Sequence, residues 1–293
     1  MIPTKDRPSE LRAVLHSLDA QTARPDAIWI VASGRPVAEV GAAFPRLPIH
    51  YLHHARPSAS AQRNVGARAA RGADLIGFFD DDIVLEPDAL EGMLAFWRAA
   101  AADVGGAALN LLNFEPPPAR ALKRSTAARW LGLYDPAPGK ITPSGWQTLI
   151  GTVTETTQVD WLPSTACIWR AETLQRVAFE ERFDGYSYLE DLDFSLEVGK
   201  SRRLFVVAEA GFRHHPSDNG RVSRYRFGQS EVDNRLYIVR KHGLSAPLCY
   251  LGLSIRMLMT GGSFLFRPTL GDAQRLLGNW VGLGRSIGGF RSP

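Results

Sequence analysis

The stretch Leu75-Ile76-Gly77-Phe78-Phe79-Asp80-Asp81-Asp82 decides how this chain is read. Five apolar residues ending abruptly in three acids describe a buried strand that delivers carboxylates to a sheet edge. In open α/β sheets, ligands bind beyond the carboxyl ends of the strands. Three like charges there are costly unless a cation neutralises them, and oxygen donors favour Mg2+ or Mn2+. Such ions are commonly held by one or two carboxylates plus substrate phosphates, so the triplet points to a phosphorylated substrate. An acidic turn closing a strand would look the same in isolation.

On either side of the triplet, strand-like and helix-like segments alternate. Ile2-Pro3-Thr4 ends a first strand, and Leu11, Val14, Leu15 and Leu18 mark a helix from Ser9 to Gln21. Ile28 to Val31 and Ile49 to Leu52 are further strands, and Ser60 is expected to cap a helix from Ala61 to Ala70. Pro87 and Asp88 open another helix through Leu90, Met93, Leu94 and Trp97. This rhythm predicts a mostly parallel sheet wrapped by helices. Asn113 to Trp146, with Pro116-Pro117-Pro118 and Lys123-Arg124, reads as a long irregular connection, of a kind that is usually either functional or disordered. Strand signals return at Val159 to Leu162, Ala166 to Arg170 and Leu204 to Val207, with a helix from Leu189 to Val198, and stop beyond Gly211.

The 293 residues, 45% hydrophobic and 22% charged, allow one large domain with or without an appendage and argue against disorder. Cys167 and Cys249 make neither a disulfide framework nor a zinc site, and a reducing cytoplasm is the expected home. The opening residues Met1 to Lys5 have no apolar run that could serve as a signal peptide. The net charge of +4 conceals an asymmetry: from Lys200 onward there are 15 basic and 5 acidic residues, before it 19 and 25. The basic C-terminal third therefore expects an anionic partner. No helix-turn-helix, zinc-finger or RNP-like pattern supports nucleic acid; a phospholipid surface or a diphosphate-bearing acceptor fits better.

Arg224 to His242 reads as a basic helix, and Leu248 to Phe266 as nearly continuous apolar sequence. That length approaches a membrane span, but Arg256 and Gly261-Gly262 inside it favour an interfacial segment. Trp280 and Arg285 are then further anchors, and a buried helical hairpin is the alternative.

Three sets of motifs carry a resemblance. They are Ile2-Pro3-Thr4-Lys5-Asp6-Arg7-Pro8, with Leu18, Gln21 and Thr22; Gln62-Arg63-Asn64-Val65-Gly66-Ala67-Arg68, with Gly72 and the acids 80–82; and Trp161-Leu162-Pro163, Phe183-Asp184-Gly185-Tyr186 and Tyr188-Leu189-Glu190-Asp191-Leu192-Asp193-Phe194. In this order they resemble family 2 glycosyltransferases, over roughly residues 1–217. The resemblance implies an α/β GT-A fold (nucleotide-diphospho-sugar transferase, Rossmann-like) at 1–217, with a donor half to about 112, an acceptor half from 113, and a basic helical extension at 218–293.

It also implies inverting, metal-dependent sugar transfer from a UDP-, dTDP- or GDP-linked donor to a saccharide. The basic, apolar C-terminus makes a lipid-linked acceptor at the inner face of a cell membrane the expectation, as in bacterial polysaccharide or glycoconjugate synthesis. By the resemblance, Asp82 is the ligand to Mn2+ or Mg2+, with Asp80 or Asp81 on ribose or metal-bound water and His214 or His215 completing the site. Asp191 is the base and Glu190 its neighbour, while Thr4, Lys5, Arg7 and Arg63 contact the nucleotide. Acids at 190, 191 and 193 would also suit a helix start, whatever their chemistry. Several positions depart from the family: two residues before Pro3 make a short first strand, as if the start lay upstream, Asp6 replaces a commoner asparagine, Ala32-Ser33-Gly34 lacks a base-reading acid, and Ser164-Thr165 replaces small glycines. A nucleotidyltransferase or a noncatalytic sugar- or lipid-binding module are the rival readings.

Overall fold

A computed structural model describes residues 1–115, 126–183, 187–216 and 222–287. Its elements follow in the order β1 (Ile2–Lys5), α1 (Pro8–Asp19), β2 (Ile28–Ser33), α2 (Ala38–Ala42), β3 (Ile49–His53), α3 (Ala59–Ala69), β4 (Leu75–Phe79), β5 (Ile83–Leu85), α4 (Ala89–Ala99), β6 (Val104–Leu111), α5 (Thr126–Trp130), β7 (Thr157–Val159), β8 (Ala166–Arg170), α6 (Ala171–Arg176), α7 (Glu190–Gly199), β9 (Arg203–His214), α8 (Arg224–Lys241), α9 (Ala246–Phe266) and α10 (Leu270–Ile287). They form two compact units, Met1–Pro117 with Leu149–Gly220, and Pro118–Thr148 with Arg221–Pro293. The expected basic pair Lys123-Arg124 and the motif residues Asp184-Gly185-Tyr186 lie outside the described residues.

In the first unit β1, β2 and β3 pair in parallel, as the alternating pattern predicts. A second sheet runs β4-β8-β6-β9-β5, with β7 also beside β9. Here only β6 and β9 are parallel, and the other pairs are antiparallel, so the sheet is mixed. A parallel neighbour needs a crossover of a dozen or more residues, usually a helix. Between β6 and β8 this unit supplies only β7 and irregular chain, and β8 returns antiparallel. The Met1 carbonyl accepts from the Phe79 amide at 3.1 Å, which ties the first sheet to β4.

Strand β6 carries no strand signal in the sequence, because Gly105-Gly106-Ala107-Ala108 has poor strand propensity. Packing explains it: a Cβ on Gly106 would lie 2.3 Å from the ring of the buried Trp169. Small residues are what that contact demands. Strand β9 likewise extends past the expected Val207 as far as His214. Helix α3 is capped by Ser58, whose hydroxyl accepts from the Ala61 amide; Ser60, the expected cap, is fully buried instead.

Three consecutive residues of α3 are polar and buried, and each points to a different neighbour. Gln62 donates to the carbonyls of Thr4 at 3.1 Å and Val31 at 2.7 Å, holding the helix across β1 and β2. Asn64 donates to the Phe179 carbonyl and accepts from the Phe179 amide, both at 2.9 Å. Arg63, between them, serves the acids described below.

In the second unit α8, α9 and α10 surround Glu231, which is 1% exposed. Its carboxylate meets Arg256 at 2.6 Å and Arg275 at 2.7 Å, and accepts from Asn279 at 3.2 Å. Helices α8 and α10 approach through glycines: a Cβ on Gly228 would lie 2.3 Å from the Arg275 carbonyl oxygen, and one on Gly278 2.1 Å from that of Tyr225. Helix α9 continues through Gly261-Gly262 as one piece of 21 residues. Its inner side buries Cys249, Gly252, Leu253, Met257 and Thr260. Its outer side exposes Leu251, Leu258 and Leu265 at seven-residue spacing, followed by Phe266, Leu270, Leu277 and Trp280. The hairpin is therefore not a buried one.

Asn64→Ala should test how the first unit is tied together. It leaves a buried amide and carbonyl of Phe179 without partners, and unsatisfied buried groups cost about 1–3 kcal/mol each. A urea midpoint unchanged from the parent chain would contradict that accounting.

Candidate functional site

The acid triplet forms the turn between β4 and β5, and main-chain bonds hold it at both ends. The Asp80 amide donates to the Thr165 carbonyl at 2.8 Å, and the Asp82 carbonyl accepts from the His215 amide at 2.9 Å. The three side chains then diverge. Asp81, 4% exposed, accepts from the Thr4 hydroxyl at 2.7 Å and from Arg7 at 3.0 Å. Asp82 meets Arg7 with one oxygen at 3.4 Å and His214 Nε2 with the other at 3.2 Å. Asp80 accepts from Arg63 Nη2 at 2.8 Å.

The other nitrogen of that guanidinium, Nη1, donates to Glu190 Oε1 at 2.5 Å. Arg63 is 3% exposed, so one buried cation joins the triplet to the start of α7. Asp191 follows, its Oδ1 accepting from the Leu192 amide at 2.8 Å. The chain enters α7 under strain, with Ser187 at φ +51° and Leu189 at φ +73°, a left-handed conformation that side chains other than glycine rarely adopt. Asp6 also has positive φ, at +53°, and its carboxylate accepts from the Arg35 amide at 2.9 Å. Asparagine and aspartate both tolerate that backbone, so the acid at this place in the first motif fits the same turn as the commoner asparagine.

Five carboxyl groups, Asp80, Asp81, Asp82, Glu190 and Asp191, thus share two guanidinium groups and one imidazole. Burial dominates the titration of Asp80, Asp81, Glu190 and Asp191. Burial pushes Asp81 up to about 6 although Thr4 and Arg7 pull the other way. Asp80 also lies above its ordinary value, through burial and the charge of Asp82, against the pull of Arg63. Burial raises Glu190 to about 8, with Arg63 opposing and the charge of Asp191 adding to the rise. Asp191 is only partly buried as a residue, yet the protein packed around its carboxyl pushes it up to about 6. The Glu190–Asp191 pair titrates as a unit and holds a proton near neutrality. Burial works against a charged His214 ring, but its bond to Asp82 outweighs this and raises it.

Of the residues singled out in the sequence, Thr4, Arg7, Asp81, Asp82 and His214 form one set of contacts and Arg63, Asp80 and Glu190 a second, joined through the chain at Asp80-Asp81, with Asp191 beside the second. Lys5 is exposed at the end of β1. The His215 side chain is also exposed, and this residue reaches the triplet through its amide. Gln62 and Asn64, which position Arg63, stand in the second motif of the resemblance, where only Arg63 was given a role.

Among the described residues, no three His, Cys, Asp or Glu side chains converge as a complete metal cage. Asp82 and His214 nonetheless offer an oxygen and a nitrogen 3.2 Å apart, in surroundings with surplus negative charge. Two protein ligands, with the remaining positions left to phosphate oxygens, fit a Mg2+ or Mn2+ ion.

Residues 1–137 match the family model described as glycosyl transferase family 2. Among curated proteins, none matches the sequence. The chain is similar in structure to TarS 1–349 of S. aureus, with TM-score 0.58 and 15% identity, covering 98% of this chain and 79% of that one. It is similar to the mannosyltransferase PcManGT of Pyrobaculum calidifontis, solved with GDP-Man and Mn2+, with TM-score 0.52, 13% identity and coverage of 100% and 75%. A third similar structure is GalNAc-T7 with UDP, GalNAc and Mn2+, with TM-score 0.59, 13% identity and coverage of 82% and 46%. The chain has the GT-A fold, and its residues 1–137, just under half of it, match glycosyl transferase family 2.

Proposed function

We propose that the chain transfers a sugar, with inversion, from a nucleotide-sugar donor to a saccharide acceptor carried on a lipid. The observation that supports it best is the buried Arg63 guanidinium shared by Asp80 and Glu190, which keeps the donor acids and the Glu190-Asp191 pair at one place. Thr4, Lys5 and Arg7 bind the nucleotide in this reading, with Asp80 and Asp81 beside them; Arg63, also expected there, is buried with its fork taken by Asp80 and Glu190 and holds those acids instead. Arginine suits that task, since its planar fork matches phosphate. Asp82 and His214 hold the divalent ion, with Asp80 and His215 next to it. That ion, when bound, supplies charge neutralisation to the departing diphosphate.

A single displacement accounts for inversion. The acceptor oxygen attacks the anomeric carbon on the face opposite the diphosphate. The bond from that carbon to the phosphate oxygen breaks, its electron pair leaving with the nucleoside diphosphate. The hydroxyl proton passes to Asp191. One carboxylate suffices, in contrast to the pair used by most glycoside hydrolases. Glu190 keeps its oxygen on Arg63 and shapes the ionisation of Asp191. The nucleobase is left open, because Ala32-Ser33 at the end of β2 offers a hydroxyl and main-chain groups; the Ser33 hydroxyl itself donates to the His54 carbonyl.

The lipid side of the proposal rests on the second unit. Helix α9 is, among the described residues, the one helix long and apolar enough by length and composition to cross a membrane. Its inner side, however, carries Arg256 into the ion pair with Glu231 and packs on α8, so only its outer side is available to lipid. We therefore place it flat on the cytoplasmic face of a cell membrane, helped by the basic surplus after Lys200 and by Trp280 and Arg285.

Asp191→Asn should lower kcat/KM for sugar transfer by about 100-fold or more, the usual scale for losing a general base. Transfer surviving undiminished would remove the base from Asp191. A base must be ionised to act, so activity should fall as pH drops through about 6, not near the ordinary aspartate value. An acid limb at pH 4 in the kcat/KM profile would contradict the raised carboxyl. In flotation with anionic vesicles, Leu258→Glu with Leu265→Glu should release most of the bound protein; equal binding by the parent and the double variant would sink the surface assignment.

A further inference from the structure

A cavity of about 130 Å³ lies beside the acid cluster and is used by none of the nucleotide contacts proposed above. Leu111, Phe114, Ile150, Trp161 and Phe212 supply apolar walls, while Thr165 and His214 bring polar atoms to it. The cavity is placed by the same groups that hold the triplet: the Thr165 carbonyl takes the Asp80 amide, and the His214 ring takes Asp82. Asp82 touches Arg7 with one oxygen and His214 with the other, so the cavity begins across Asp82 from the arginine.

The lining is mostly apolar. A fully hydroxylated pyranose buried here would lose its water and find few partners, and each unpaired buried hydroxyl is costly. An apolar six-membered ring meets no such cost, and dry apolar cavities of about 150 Å³ are known to take benzene. The Ser164-Thr165 departure from the family's small glycines falls at the edge of this same space.

We infer that this cavity is an acceptor subsite for an apolar ring-sized group carried next to the reacting hydroxyl, such as an aryl or deoxygenated ring edge. This rests on the transferase reading and names the acceptor chemistry within it. The hydroxyl would face the His214 and Thr165 end, toward the acids, and the apolar part would fill the walls. A ligand hydroxylated all round is selected against by the groups it would strand.

The test uses 4-fluorobenzyl alcohol, a hydroxyl beside an apolar ring, followed by ligand-observed fluorine NMR on the full chain with UDP or GDP and Mn2+. Saturable binding to the parent chain is expected, weakened about ten-fold in Ile150→Asn, which puts an amide in the wall, and in Leu149→Trp, which fills the space from its exposed rim. The thermal shift produced by the nucleotide and Mn2+ serves as the folding control for each variant. Absence of saturable binding to the parent, or equal binding by parent and folded variants, overturns the subsite. Displacement of the probe by a nucleotide sugar but not by its nucleoside diphosphate gives the cavity to the donor sugar and also overturns it. If no nucleotide shifts the parent's stability, the transferase reading fails while the probe still reports on the cavity.

Discussion

Arg63 is almost wholly removed from water, and a buried guanidinium is tolerable only when carboxylates surround it. Its two partners lie far apart in sequence: Asp80, 17 residues from Arg63, on the turn after β4, and Glu190, 127 residues from Arg63, at the start of α7. Removing one member of such a pair strands the other, at a cost of about 3–5 kcal/mol. The interaction therefore specifies where α7 begins relative to the triplet, and with it where Asp191 stands. Burial of Gln62 and Asn64 on either side fixes the helix that presents Arg63, since each satisfies main-chain groups that have no water to turn to.

The same arrangement leaves the site short of positive charge. Two arginines and a histidine only partly offset five carboxyl groups, and burial raises Asp81, Glu190 and Asp191 in spite of them. A site in this condition favours whatever brings cations, and it keeps a proton acceptor closer to neutrality than an exposed aspartate would be. Both are what chemistry on a diphosphate leaving group needs. The strain at Ser187 and Leu189 sits directly before these acids, where the chain must turn sharply to deliver them.

The second unit follows a related rule with signs reversed. Glu231 is buried and draws Arg256 of α9 and Arg275 of α10 inward, so these two cations hold the helices to α8. Their outward surfaces are left to leucine, phenylalanine and tryptophan. An apolar exterior on a basic segment is hard to reconcile with water alone, and this is why a lipid surface enters the functional reading.

Local pattern alone established much of this protein. The apolar run before Asp80, the acids opening α7, the helix through Gln62 and Asn64 and the basic C-terminal third are all visible as periodicity and charge, because those signals depend on neighbours in the chain. Strand β6 was invisible, since its glycines make sense only against Trp169. The mixed second sheet, the Ser58 cap and the unburied side of α9 were equally out of reach. Tertiary structure alone decided which arginine serves which acid, and left Lys5 and the His215 ring exposed while His214 met Asp82. The physical reason is that sequence fixes the type of charge at a position, whereas pairing and burial depend on residues brought together from opposite ends of the fold.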